Sequence, residues 1–263
     1  MRRLGALLCA AACAAVITAP AGAATYQSYE LGAVSAASSY DAFVTKGSAS
    51  ASEVAAARSH GTFVVNYEEA FALNDREAAY ARSRGWLART CSGAEIHPAN
   101  IASKTLLDVT KPEAIKWRAE RISSETNALG YQASFIDTLR AYTPNGFYDG
   151  SPCNWTDGDW LSASVRLVDT VQALTGKPVI ENGAGLGSGS KFFANRPATE
   201  TLLKAGDGAQ IEHFCRKADK CSVDQKFLSY IVSLGKYALA KCQGDPSLCQ
   251  QSYVSSPGAF MRL

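Results

Sequence analysis

Past its first 23 residues, this 263-residue chain has no apolar run approaching the roughly 18 residues that a membrane-spanning helix requires. It has no block of like charge either. Lys and Arg number 26 against 24 Asp and Glu, and without Arg2 and Arg3 the formal net charge falls from +2 to zero. A neutral chain without basic runs offers no electrostatic footing for nucleic acid or for an anionic membrane, so neither is expected as a partner. Histidine is scarce: His60, His97 and His213 stand in no ligand spacing, and C-x-x-C is absent, which argues against a metal site. The glycine-rich stretch Gly183–Lys191 lacks both the G-x-G-x-x-G register and the Lys-Ser/Thr ending of a phosphate-binding loop. No G-x-S-x-G nucleophile elbow occurs. No cofactor is expected, and the glycine stretch reads as a mobile loop beside a site.

What is present begins with MRRLGALLCAAACAAVITAPAGA. Two arginines, a short Ala- and Leu-rich run and Ala21-Gly22-Ala23 form the pattern of a secretory signal peptide cut after Ala23. A membrane anchor fits less well, because the run is short and ends at Pro20. The remainder, 24–263, is expected to be one exported, soluble, monomeric domain, and an apolar content of 47% allows it a sizeable core. Cys9 and Cys13 leave with the leader. The six that remain, Cys91, Cys153, Cys215, Cys221, Cys242 and Cys249, favour three disulfides in an exported protein, and six cysteines allow fifteen pairings. The expected set is Cys215–Cys221, Cys242–Cys249 and Cys91–Cys153.

The chain reads as strands alternating with helices, organised around Lys104–Arg140. There an apolar run, Thr105–Val109, stops at Asp108-Val109-Thr110. A helix with Thr110-Lys111-Pro112-Glu113 at its start follows, and a second apolar run, Ala133–Ile136, stops at Asp137. Further strands are expected at Tyr40–Lys46, Thr62–Asn66, Pro178–Ile180 and Ala209–Ile211. Helices are expected at Ser48–Arg58, Asn74–Arg84, Asp159–Thr175, Pro197–Ala205 and Ser222–Lys241. Residues 24–39 read as an irregular lead-in, and Cys242–Leu263 as too short for another βα pair. Such alternation argues for a parallel sheet. A TIM-barrel-like (β/α)8 fold is the leading form, incomplete at its C-terminus with about six units visible; an open doubly wound parallel sheet is the alternative.

Five strand ends carry acids or amides: Glu68 and Glu69, Asp108, Asp137, Glu181 with Asn182, and Glu212. Desolvating a carboxylate is costly unless it is paired or used. Asp108 reads best as the start of a helix. Asp137 and Glu212 follow apolar strands with no helix starting at once, so they read as site residues. Two carboxylates across a strand-end cleft are what glycoside hydrolysis needs: one protonates the leaving oxygen, the other attacks the anomeric carbon or activates water. The loop Arg140–Gly158, with Tyr148 and Trp155, suits apolar sugar faces, although either ring also serves simply to bury the loop. Glu68, Asp108, Tyr148, Trp155 and Asn182 are the expected substrate-binding residues.

Ordered short motifs carry a resemblance. Leu106-Leu107-Asp108-Val109-Thr110-Lys111-Pro112-Glu113, then Gly130-Tyr131-Gln132-Ala133-Ser134-Phe135-Ile136-Asp137, is similar to the "LLDVTNPE … GYDGVFLD" of a group of TIM-barrel glycosyl hydrolases related to endo-α-1,4-polygalactosaminidase. Lys177–Gly183 and Gly208–Phe214 resemble that group's next two strands, and the likeness covers about Thr62–Lys241. It implies a barrel acting on O-glycosidic bonds of a polysaccharide or glycan. Asp137 would be the strand-four acid, Glu212 the strand-six acid and Asn182 a site-lining amide. The group's "DGV" is Gln132-Ala133-Ser134 here. A non-catalytic carbohydrate-binding protein on a degenerate barrel is the rival reading, motivated by the strands that are not visible.

Overall fold

The computed structural model describes residues 27–99, 103–143, 146–254 and 256–263; the leader expected from sequence, with Cys9 and Cys13, lies outside them. In chain order the strands are β1 (Gln27–Gly32), β2 (Ala42–Thr45), β3 (Phe63–Glu69), β4 (Ala72–Leu73), β5 (Thr105–Leu106) and β6 (Ala133–Arg140), then β7 (Val179–Ala184), β8 (Gly208–Phe214), β9 (Tyr237–Cys242) and β10 (Ala259–Arg262). Eight of them close a barrel in the order β1-β2-β3-β6-β7-β8-β9-β10, with β10 returning to β1, and every pairing in it is parallel. This is a complete (β/α)8 barrel. The expectations of an unfinished barrel and of an open sheet are both corrected.

Three barrel strands escape the sequence pattern. β1 lies in the stretch read as irregular. β9 lies in what looked like the second half of a long helix, and β10 in the turn-rich end. The helix expected to reach Lys241 ends at Ser233, because Gly235 takes φ +70° and turns the chain back into the barrel. Conversely, Thr105–Leu106 is no barrel strand. It pairs antiparallel with β4 in a two-stranded flap outside the barrel. Because β1 is gained and Thr105–Leu106 is lost, Asp137 still falls on the fourth barrel strand and Glu212 on the sixth.

The crossover helices are α1 (Ala51–Ser59), α2 (Asp75–Ser83), α3 (Pro112–Ala128), α4 (Asp157–Thr175), α5 (Gly189–Ala194), α6 (Arg196–Ala205), α7 (Cys221–Ser233) and α8 (Pro246–Gln251), while a 3-10 turn at Val34–Ser39 bridges β1 and β2. Reciprocal capping boxes start α1 (Ser50 with Glu53), α2 (Asn74 with Glu77) and α4 (Thr156 with Asp159). The start of α3 differs from expectation. Its N-cap Lys111 gives no side-chain cap, and Thr110 bonds to Asp108 instead. Nor does α7 begin at Ser222: it starts at Cys221 after Lys220, with no side-chain cap.

Two layers of core result. Inside the barrel, Tyr29, Val44, Val65, Phe135, Ile180, Leu239 and Phe260 pack together. Outside it, the strands bury their other face against the helices. Trp160 of α4 is fully buried there, ringed by Phe71, Tyr148 and Trp155; burying a side chain of that size is worth on the order of 2–3 kcal/mol. Disulfides join Cys91 to Cys153, Cys215 to Cys221 and Cys242 to Cys249, the expected pairing. No helix among the described residues is long and apolar enough to cross a membrane.

Candidate active site

The carboxyl ends of the parallel strands open into a cavity of ≈ 890 Å³ whose lining includes Tyr67, Asp137, Arg140, Asn182, Glu212 and His213. In this architecture that end of the barrel is where chemistry is placed. β3 delivers Tyr67 and Glu69, β6 delivers Asp137, Thr138 and Arg140, β7 delivers Asn182, and β8 delivers Glu212 and His213.

Asp137 is gripped on both oxygens. The Tyr67 hydroxyl donates to Oδ2 at 2.6 Å, while the Asn182 amide (2.9 Å) and the Thr138 backbone N–H (2.6 Å) donate to Oδ1. Tyr67 is held in turn by stacking on Phe135, with ring centroids 5.7 Å apart, and Lys46 lies over its ring. Burial, followed by the neighbouring Asp137 carboxylate, pushes the Tyr67 phenol far above the usual tyrosine range. It therefore remains a donor, and three donors converge on the Asp137 carboxyl.

Both acids sit where the ladder breaks. The β6–β7 register shifts between Ile136 and Leu139, and the β8–β9 register shifts between Ile211 and Phe214. Bulges of this kind re-aim side chains at barrel rims. In β6 the bulge carries Thr138 at φ +61°, a left-handed conformation that a β-branched residue rarely adopts. Gly183 makes room for it: a Cβ there would overlap the Leu139 carbonyl oxygen. The glycine stretch lies beside the cavity, but only 185–188 is loop, because Gly183 and Ala184 end β7 and α5 begins at Gly189. It contributes Gly183 and Gly187 to the cavity, and the Gly187 carbonyl accepts the His213 backbone N–H at 2.9 Å.

Glu212 is held more loosely. Its side chain is 41% exposed, and its nearest cation is Lys241 Nζ at 3.7 Å. Beneath it the Cys215–Cys221 bridge and Asp224 brace the end of β8. The Asp224 carboxylate accepts the backbone N–H groups of Cys215 (3.0 Å) and Gly189 (2.8 Å).

The structure brings together Asp137, Glu212 and Asn182, and leaves the other four expected residues out of the cavity lining. Glu68 points to the helix layer and pairs with Arg118 at 2.8 Å. Its neighbour Glu69 faces the cavity in its place. Asp108 lies on the flap, where Oδ1 accepts from Thr110 N–H (2.9 Å) and Oγ1 (2.6 Å), a local turn that starts α3. Tyr148 stacks on Trp160 and Trp155 meets it edge-on, so both rings pack there, while the Tyr148 hydroxyl meets Arg140 from behind the cavity lining. Tyr67, Glu69, Arg140 and Phe147 line the cavity without having been expected there. Tyr67 and Glu69 stand two and four residues beyond Val65 on the same strand, but only the structure shows that Val65 faces inward, so the sequence carried no signal for them.

Several buried polar atoms at this site have no hydrogen-bond partner among the described residues: Glu69 Oε2, Thr138 Oγ1, Asn182 Oδ1, and Arg140 Nε and Nη2. Such atoms are costly unless something meets them. Acceptors and donors stand side by side here, which suits a ligand rich in hydroxyl groups, since each hydroxyl both gives and accepts.

No protein-family model matches the sequence, and no curated protein does. Among solved structures, the glycoside hydrolase domain of PelA from Pseudomonas aeruginosa is similar over 83% of this chain and 84% of its own, with a TM-score of 0.56 and 13% identity. A cycloisomaltooligosaccharide glucanotransferase from Paenibacillus sp. gives a TM-score of 0.55 and 9% identity over 81% of this chain and 38% of that one. The cycloalternan-degrading enzyme from Trueperella pyogenes gives 0.53 and 10% over 80% and 32%. At these identities the likeness is one of fold.

Proposed function

We propose that this protein is an exported glycoside hydrolase in which Asp137 and Glu212 form the catalytic carboxylate pair. The observation that carries the reading is the convergence of three donors on Asp137 within a cavity that also contains Glu212. A carboxyl whose two oxygens are held by donors is fixed in one orientation, so Asp137 acts on the anomeric carbon, as nucleophile or as base for water. That leaves the proton for the departing glycosidic oxygen to Glu212, which has freedom to follow it. Asn182 and Tyr67 orient Asp137, and the unpartnered polar atoms around them meet sugar hydroxyls. Glycoside-acting enzymes among the structures of similar fold agree with this reading. Export through the first 23 residues fits three disulfides, which persist in oxidising compartments.

The rival reading, a binding protein on a degenerate barrel, rested on strands that β1, β9 and β10 supply. The test is a reducing-sugar screen over neutral, amino-sugar and acidic polymers. On the responsive polymer, Asp137→Asn and Glu212→Gln should each lower the rate by roughly 10² to 10⁴-fold with unchanged thermal stability. Full activity in either variant removes that residue from the pair.

A further inference from the structure

Two arginines are buried among the described residues, and they are treated differently. Arg118, 2% exposed, is fully met: Nη1 donates to Glu77 and Nη2 to Glu68, both at 2.8 Å, and Nε donates to the Glu69 and Ala70 carbonyls. Arg140, 7% exposed, lines the cavity and meets the Tyr148 hydroxyl, but its Nε and Nη2 have no partner among the described residues. Among the described residues no carboxylate lies within ion-pair distance of it, although the cavity lining includes four. Each of those acids is engaged elsewhere: Glu69 with Lys104 (3.2 Å), Asp137 with its three donors, Asp157 with the Thr143 N–H (2.7 Å) and Glu212 with Lys241 (3.7 Å).

A buried cation without a counter-ion is strongly disfavoured unless a ligand supplies the charge. The unpartnered atoms also specify the shape of that ligand. Nε and Nη2 share one edge of the guanidinium, the edge that grips the two oxygens of a carboxylate in parallel. Phe147 stacks on the guanidinium face, 4.2 Å from ring centroid to Cζ, and so holds the plane of that edge. Lys46 and Lys191, both exposed, stand on the same cavity and add positive charge at its mouth.

We infer that the cleft takes a carboxylate-bearing sugar, with Arg140 as the residue that selects the acidic over the neutral form. This rests on the reading of the cleft as a glycan site, but not on turnover there. The experiment is therefore a binding measurement by isothermal titration on the full chain. The probes are galacturonate, mannuronate and hyaluronan oligosaccharides, each compared with its carboxyl-reduced counterpart, which keeps the linkages and loses only the charge. At least one acidic probe should bind tenfold or more tightly than its reduced form. Arg140→Met should erase that preference, with a loss of roughly 30-fold, and Arg140→Lys should keep part of it. Thermal unfolding of both variants confirms that they fold.

Equal or tighter binding of the reduced forms overturns the inference, and so does binding of none of the acidic probes. A preference that survives in Arg140→Met overturns it too, because the exposed lysines would then carry it. If acidic probes bind selectively through Arg140 and no polymer is cleaved, the hydrolase reading fails while this one stands. If neutral polymers alone are cleaved, the reverse holds.

Discussion

The Tyr67 hydroxyl lies 2.6 Å from Oδ2 of Asp137, and it reaches there because Tyr67 stacks on Phe135, two residues before Asp137 on the adjacent strand. Removing the hydroxyl keeps the stack and deletes one of the three donors. Tyr67→Phe is expected to fold with near-parental thermal stability and to lose roughly 10-fold or more in kcat, since a hydrogen bond to a charged group is worth about 1.5–3 kcal/mol. A variant with unchanged kcat would show that the contact is structural.

Gly183 admits the bulge that aims Asp137. Gly183→Ala places a methyl group on the Leu139 carbonyl and must push the bulge aside. The expected cost is about 1–3 kcal/mol in chemical denaturation, with a fall in kcat larger than that loss of stability explains. Gly176 ends α4 far from the site at φ +63°. Gly176→Ala should cost stability alone.

Glu181 precedes Asn182 on β7 and is fully buried, with the Gly206 backbone beside its carboxyl. Burial lifts its carboxyl well above the ordinary carboxylate range. Lys236, at the turn from α7 into β9, draws it down, whereas Asp207, just before β8, and Asp169 of α4 push it further up. The folded chain thus keeps a proton that the unfolded chain releases above about pH 4.3. Its stabilising contribution is full below that value and is lost as pH rises toward the raised native value. Glu181→Gln removes the titration. Denaturation midpoints of parent and variant should agree near pH 4 and separate in favour of the variant as pH rises; a constant gap across pH would refute this.

The three disulfides close loops of unequal length. Cys91–Cys153 spans 62 residues, whereas the other two span 6 and 7. Loop entropy ranks their loss at about 4 kcal/mol for the long one and about 2 kcal/mol for each short one, when each pair is replaced by serine. The Cys215–Cys221 pair braces Glu212 through Asp224, so its removal should also depress kcat. The Cys242–Cys249 replacement, equal in stability cost, serves as the control.

Much of the fold was legible because the physics behind it is local. Apolar strands alternating with amphipathic helices require a parallel sheet covered by helices, and a carboxylate ending an apolar strand needs a reason, which singled out Asp137 and Glu212. The strands that stayed hidden had no local mark. Tyr237–Cys242 is built of Tyr, Ala, Leu, Lys and Cys with no β-branched residue to set it apart from the preceding helix, and only its pairing with β8 and β10 makes it a strand. Thr105–Leu106 shows the converse. Its apolar pattern suits a barrel strand, yet its partner is a two-residue flap, and partner choice is not local information.

The amino-acid sequence by itself determined the alternation of elements and the two acids worth suspecting, and it left fifteen cysteine pairings open, of which the structure takes the expected one. The tertiary structure alone decided which strand ends share a cavity. It turned Glu69 inward and Glu68 out, packed Tyr148 and Trp155 away on Trp160, and brought Arg140 and Tyr67 into the site. The reason is that a barrel strand is buried on both faces, so its sequence shows no alternation of polar and apolar residues. Without it, the face each side chain takes is set by register, and a shift of one residue reverses every assignment.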